Sequence, residues 1–261
     1  MGNRKLLIMR RKPSLTGVGI AEHPPYRMRL DFYLEHIEVV PRRTIALKTI
    51  VLGALFLYLM KRRLYMRNPI LLNVPEEFFT ERLHIRMPRP GDGKLVHEAI
   101  CASQEELKQW LSFASKNQSV EDVEIITREA HSKFLLREHL RFFVFQKNTR
   151  TFIATISLHN ADWEVPKFEI GYWVDSRYSG QGYISEAVRG LTEFAFNQLG
   201  ANRLTIRCDP RNVKSKAVAE RAGFQLEGIL KNDEWSIDGT VLTDTCIYAN
   251  IRERSGANGI D

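Results

Sequence analysis

One stretch, Phe168 to Leu199, constrains this chain more than any other. It reads F-E-I-G-Y-W-V-D, then S-R-Y-S-G-Q-G-Y, then I-S-E-A-V-R-G-L-T-E-F-A-F-N-Q-L. The first part is β-branched and aromatic, as a buried strand should be. In the third, Ile184, Val188, Leu191 and Ala195 follow a 4, 3, 4 spacing, which lays one apolar stripe along a helix. Between them stand Gly180 and Gly182, ahead of a helix start whose backbone N–H groups have no intrahelical acceptors. Such an end attracts anions, and glycines let a phosphate approach the backbone without meeting a Cβ. The stretch predicts a pyrophosphate cradle at a strand-to-helix turn.

No G-K-[ST] follows the glycines, so the turn is not a P-loop. Ser185 stands where a dinucleotide fingerprint needs its third glycine. What remains is the coenzyme A pattern R-x-x-G-x-G, matched by Arg177-Tyr178-Ser179-Gly180-Gln181-Gly182, although glycine pairs also end strands for structural reasons alone. Downstream, Arg203 to Asp209 alternates Leu204, Ile206 and Cys208 with Thr205 and Arg207, and reads as a further strand. In R-N-V-K-S-K-A-V-A-E-R-A-G-F, Asn212 is a good N-cap and Gly223 is placed to end the helix.

This order, and the wording I-G-Y-W-V-D, G-Q-G-Y-I-S-E-A and N-V-K-S-K-A-V-A-E-R-A-G-F, resembles the GNAT superfamily of acyl-CoA-dependent N-acetyltransferases. Within it the wording is similar to the Rim-type ribosomal-protein N-acetyltransferases, over about Val74 to Ile251. The resemblance implies an α/β GNAT fold: a central, mixed, mostly antiparallel twisted sheet, flanked by helices, with a splayed strand pair at the acyl-CoA site.

Charge is unevenly placed. Residues 1–65 hold 13 Lys/Arg against 4 Asp/Glu, a surplus of nine; with +7 for the whole chain, residues 66–261 carry −2. The region of the motifs therefore offers no electrostatic case for nucleic acid. Cys101, Cys208 and Cys246 are odd in number and widely spaced, which fits a reducing cytoplasm, and the histidines show no H-x-x-x-H grouping, so no metal is expected.

Three segments follow. Residues 1–65 form a basic extension with an apolar run, Thr49 to Met60, too short to span a bilayer. With its basic flank (49–63) the run could lie on a membrane surface or pack as a helix. It could also lie upstream of a start at Met66, since M-R-N-P-I-L-L-N-V-P-E-E-F resembles a family N-terminus. Residues 66–252 form the acetyltransferase domain, and 253–261 a polar tail. Inside the domain, Arg82–Met87 reads as a strand, Lys94–Ser103 and Gln104–Phe113 as two helical stretches, and Asp122–Arg137 as another helix. Leu140–Gln146 and Thr151–Leu158 form a hairpin; Phe224–Leu230 and Val241–Ile251 close the sheet through a loop containing Asn232 to Gly239.

The resemblance also implies roles. Acetyl-CoA is the co-substrate, held by Arg177, Tyr178, Ser179, Gly180, Gln181, Gly182, Tyr183 and Ser215, with Asn212 on the pantetheine arm and a backbone N–H near Trp173 or Val174 on the thioester oxygen. Trp110 lines the acceptor pocket or packs two short helices. Glu234, in G-F-Q-L-E-G-I-L-K-N-D-E-W, matches the proposed base, with solvation or orientation of the acceptor's ammonium as its other readings. Asp233 is its nearest rival, and Glu227 serves structure. Ser215 is the proton donor, because no tyrosine lies between Ala217 and Ala222, or a cap-region serine. The acceptor is a protein N-terminus or a small amine. At pH 7 an α-amine with pKa near 7.7–8.0 is roughly 10–15% neutral and a lysine about 0.04%, which favours the α-amine. A monomer or homodimer is expected, and a non-catalytic acyl-CoA binder is the reading from another class.

Overall fold

The computed structural model describes residues 68–252; the extension 1–65, its apolar run, the start at Met66 and the tail 253–261 lie outside the described residues. Alternating apolar residues form β1 (Glu77–Phe79), β2 (Leu83–Arg86), β3 (Leu140–Gln146), β4 (Phe152–Asp162), β5 (Lys167–Val174), β6 (Arg203–Cys208), β7 (Gln225–Trp235) and β8 (Leu242–Ile251). Among them run α1 (Gly93–Leu107), α2 (Val120–Leu135), α3 (Tyr183–Gln198) and α4 (Val213–Arg221). The strands make one mixed sheet in the order β1-β2-β3-β4-β5-β6-β8-β7, with β5 and β6 its parallel pair. This is the α/β fold expected.

Each helix is held by features of its own sequence. In α1, Val96, Ala99, Ile100, Ser103 and Leu107 are buried along one face. Ser119 and Asp122 form a reciprocal capping box that starts α2, satisfying two of its orphan donors. Asn212 Oδ1 accepts from Ser215 N (3.0 Å) and starts α4.

Two apolar clusters sandwich the sheet. On one face Val188, Leu191 and Ala195 of α3 pack on Phe142, Ile156, Ile170 and Leu204. On the other Val96, Ala99 and Ile100 of α1 and Val123 of α2 pack on Phe143, Phe145 and Phe152. Each large side chain so buried contributes about 1.5–3 kcal/mol.

Three expectations change. The two helical stretches between Lys94 and Phe113 are a single helix to Leu107 followed by a 3-10 turn at Ser112–Ser115, because Leu107 is the last residue of the buried stripe. A short strand, β1, precedes the first one expected; three residues are too few for a period to show. Asn232 to Trp235 belong to β7 rather than to the loop, carried past a register shift between Leu230 and Glu234 where Asn232 takes φ 51°.

Candidate active site

β5 and β6 pair only at Lys167–Arg203, Phe168–Leu204 and Glu169–Thr205. Beyond that, β5 runs to Val174 against β4 alone, and β6 to Cys208 against β8 alone, so their facing edges part. Asp175 N bonds Ile153 O, and antiparallel alternation then turns the amides of Trp173 and Gly171 to β4. The amides of Val174 and Tyr172 therefore face the opening.

The end of β5 leads into the glycine turn. Gly180 and Gly182 take φ 76° and 80°, the left-handed region where a Cβ is strained. Among the described residues, no protein acceptor meets the backbone N–H groups of residues 180–185, which gather at the start of α3. Arg177 reaches back to Asp175, with Nη2 donating to Oδ2 at 2.5 Å and Nε to Oδ1 at 3.0 Å, while Asp175 is fully buried. Tyr178 lies under the Arg177 guanidinium, 5.9 Å from ring centroid to Cζ, and Gln181 Nε2 donates to Arg177 O (3.3 Å). Ser179 is exposed.

A second cation stands at this turn. Arg82 Nη1 donates to Gln181 O (3.1 Å), its guanidinium lies over the Tyr183 ring (4.5 Å), and its Nε donates to Glu186 Oε2 (2.6 Å). Glu186 also accepts from Thr80 Oγ1 (2.5 Å) and Arg82 N (2.8 Å), which pins the β1–β2 turn to the first turn of α3. Burial pushes this carboxyl upward, but the bonds from Thr80 and Arg82 outweigh it and hold the group below its ordinary value. Sequence reading missed Arg82: it stands 95 residues before Arg177 at the end of a strand whose alternation explained every letter. Its partner Glu186, an acidic residue on the first turn of α3, was the available signal.

Across the opening, Tyr172 Oη is 3.0 Å from both Ser215 O and Ser215 Oγ. Burial raises the Tyr172 pKa above its ordinary value, so the phenol stays protonated. Cys208, on the facing edge, is likewise pushed up to about 11 by burial, against a bond to Ser215. The α4 cap uses the Ser215 amide, which leaves its hydroxyl for Tyr172. A tyrosine of β5, and none of α4, thus lies against Ser215.

Trp110 is half-buried in the turn after α1, whereas it is Phe113 that packs on Trp173 (6.1 Å between ring centroids). Glu234 and Asp233 meet at Arg207, whose Nη2 donates to Glu234 Oε1 (2.8 Å) and Asp233 Oδ2 (2.6 Å). The Glu234 side chain is 59% exposed. Glu227 pairs with Arg203. The structure therefore brings together the glycine turn, the Val174 amide and Ser215 along the opening, and ties Glu234 of the outer strand to β6 through Arg207.

The profile of the family described as "Acetyltransferase (GNAT) domain" matches residues 82–225. The ribosomal-protein-serine acetyltransferase of Escherichia coli (strain K12) is 31% identical over 172 residues, 66% of this chain and 94% of that protein. Among solved structures, one titled as a probable acetyltransferase is 30% identical with a TM-score of 0.62, covering 67% of this chain and 97% of that one. A second is RimL, a ribosomal L7/L12 α-N-protein acetyltransferase in complex with coenzyme A. It has a TM-score of 0.61 at 23% identity over 68% of this chain and 97% of that one, a likeness of fold.

Proposed function

Because this chain belongs to the GNAT family and is an N-acetyltransferase, we propose that it moves the acetyl group of acetyl-CoA onto the N-terminal α-amine of a protein, a ribosomal one by preference. The observation that carries the co-substrate is the set of amides at residues 180–185 with no acceptor among the described residues, beside Gly180, where a Cβ would meet nothing within 4 Å, and Gly182, where it would meet only the end of Arg82. An oxyanion-sized or phosphate-sized anion fits such a start of a helix. Arg82 and Arg177, each held by a carboxylate, add guanidinium donors at the same turn. The acceptor rests on the 31% identity to an enzyme whose name states a ribosomal protein, and a ribosomal acceptor places the reaction in the cytoplasm.

The groups along the opening then have separate tasks. The Val174 amide stabilises the charge that develops on the thioester oxygen, worth a few kcal/mol when the donor is fixed beforehand. The amine attacks the carbonyl carbon directly. Ser215, hydrogen-bonded to Tyr172, returns a proton to the leaving thiolate. Glu234, already paired with Arg207 on an exposed strand, meets the arriving ammonium. Glu234→Gln is expected to raise KM for the amine about tenfold while kcat changes little, as for loss of binding that is uniform between ground and transition states.

Ser215→Ala is expected to lower kcat about 10- to 100-fold, with acetyl-CoA affinity unchanged in calorimetry. The N-cap bond uses the Ser215 backbone, so the substitution reports on the hydroxyl alone. Incubating the enzyme with acetyl-CoA and a panel of peptides and small amines, followed by intact-mass analysis, tests the acceptor. Transfer to small amines with none to peptide N-termini would overturn the acceptor assignment and leave the acetyltransferase.

A further inference from the structure

β4 is a central strand with one polar face. Thr155, Ser157 and His159 alternate with Ala154, Ile156 and Leu158, which belong to the α3-side core. Strands covered on both faces are ordinarily apolar on both. Here Thr155 and Ser157 are buried, and Thr155 Oγ1 has no hydrogen-bond partner among the described residues. Buried, unpaired hydroxyls are rare enough that each calls for a reason.

The stripe is wired. Ser157 Oγ lies 3.4 Å from His159 Nδ1, and His159 Nε2 lies 3.3 Å from Glu169 Oε1 on the neighbouring strand. Asn160 Nδ2 donates to the other Glu169 oxygen at 3.1 Å. Gly171 makes room for the arrangement. It stands opposite Ser157, and a Cβ there would come within 2.9 Å of His159 Cε1 and 3.3 Å of Ser157 Oγ. The imidazole thus lies against β5 at Gly171, two residues past the last β5–β6 pair, where the opening begins. The His159 and Glu169 side chains are 26% and 19% exposed, so the path has an outlet to solvent.

We propose that His159 is the proton acceptor for the attacking amine, reached through the Ser157 hydroxyl and held in orientation by Glu169. This rests on the acetyl-transfer reading and names the base within it. The ammonium first gives one proton to solvent; as the neutral amine nitrogen then bonds to the thioester carbon, a second proton passes to Ser157 Oγ and the Ser157 proton passes to His159 Nδ1. The resulting imidazolium is balanced by Glu169 at Nε2. Collapse breaks the C–S bond, and the thiolate takes its proton on the other face from Ser215, which regains one from solvent as His159 releases its own.

The surrounding charges allow this division. Burial pushes the Glu169 pKa up, but bonds from His159 and Asn160 and the charges of His159 and Arg207 outweigh it, so Glu169 remains the anion. His139, whose ring is 5.6 Å from that of His159, is pushed down to about 4 by burial, then by Arg141, His159 and Lys133. It stays neutral and does not compete. Arg141 lies opposite Ser157 on β3, and Arg207 stands on β6.

Two variants test the assignment, His159→Ala and Gly171→Ala, the second displacing the ring without removing it. His159→Ala is expected to lower kcat about 100-fold, to lose the acidic limb of the kcat–pH profile, to keep its acetyl-CoA affinity in calorimetry and to regain rate with added imidazole. Gly171→Ala is expected to lower kcat with the limb displaced, whereas Glu234→Gln keeps the limb. A His159→Ala enzyme with wild-type kcat and an intact limb would overturn the proposal, as would loss of rate that imidazole does not restore. Should His159→Ala fail to fold, a Gly171→Ala profile identical to wild type would overturn it. Wild-type enzyme that binds acetyl-CoA and acetylates no amine would sink the transfer reading itself, before any variant is compared.

Discussion

Replacing Gly180 and Gly182 together with alanine is expected to raise the dissociation constant for acetyl-CoA about 30- to 1,000-fold. Both residues have φ between 76° and 80°. An L-residue held there costs roughly 1–2 kcal/mol, so a doubly substituted turn relaxes and swings its amides out of alignment. The diphosphate then loses charge-assisted bonds of about 1.5–3 kcal/mol each, and it also meets two methyl groups. A net loss of about 2–4 kcal/mol gives the stated range, at tenfold per 1.4 kcal/mol. At Gly182 the new Cβ also comes within 3.4 Å of Arg82 Nη2, so the neighbouring cation is disturbed. Calorimetric titration measures the loss, and a thermal melt of the same sample separates it from unfolding. Unchanged affinity in a folded variant would remove the turn from the co-substrate site.

The second large effect is at Glu186. Its carboxylate accepts from Thr80, from the Arg82 backbone and from the Arg82 guanidinium, so Glu186→Gln leaves a charge and a hydroxyl poorly paired at once. Breaking a buried ion pair costs about 3–5 kcal/mol, but the Arg82 side chain is 43% exposed and screened, so about 2–3 kcal/mol is expected. That lowers Tm by roughly 4–12 °C for a domain of this size. The sign with pH follows from the depressed pKa. The stabilisation is complete above the ordinary glutamate value of about 4.5 and fades as pH falls through the lower folded value. The stability gap between wild type and Glu186→Gln should therefore be widest near neutrality and close in acid. A gap that widened as pH fell would contradict the assignment. Because Arg82 is anchored by Glu186, acetyl-CoA affinity should fall in the same variant.

The two sites differ in how far the sequence revealed them. Gly180 and Gly182 could be read directly, because a strand, two glycines and a helix start lie within one continuous stretch and each has a local physical signature. The Asn212 cap was legible for the same reason: its side chain bonds an amide three residues away. Arg82 could not be read. Its contact with Gln181 joins positions 99 residues apart, and nothing in a strand's alternation states which end of another element it meets.

Tyr172 shows the limit from another side. As a letter in I-G-Y-W-V it is a good strand residue, and its hydroxyl finds Ser215 only because β5 and β6 stop pairing after Glu169 and Thr205. The same parting selects the Val174 amide over that of Trp173 by the alternation of β5 against β4. Glu234 was legible as a motif position but not as a strand residue, since the register shift that carries β7 past Leu230 depends on its pairing with β8.

By itself the sequence determined the periodicities, caps and turns, and through them the order of elements and the place of the glycine turn, because those depend on interactions within a few residues. Only the tertiary structure decided which side chains converge: Arg82 with Glu186 and Gln181, Tyr172 with Ser215, and Ser157, His159 and Glu169 across Gly171. Strand order and register set those meetings, and both are outcomes of packing the whole sheet between its two apolar clusters.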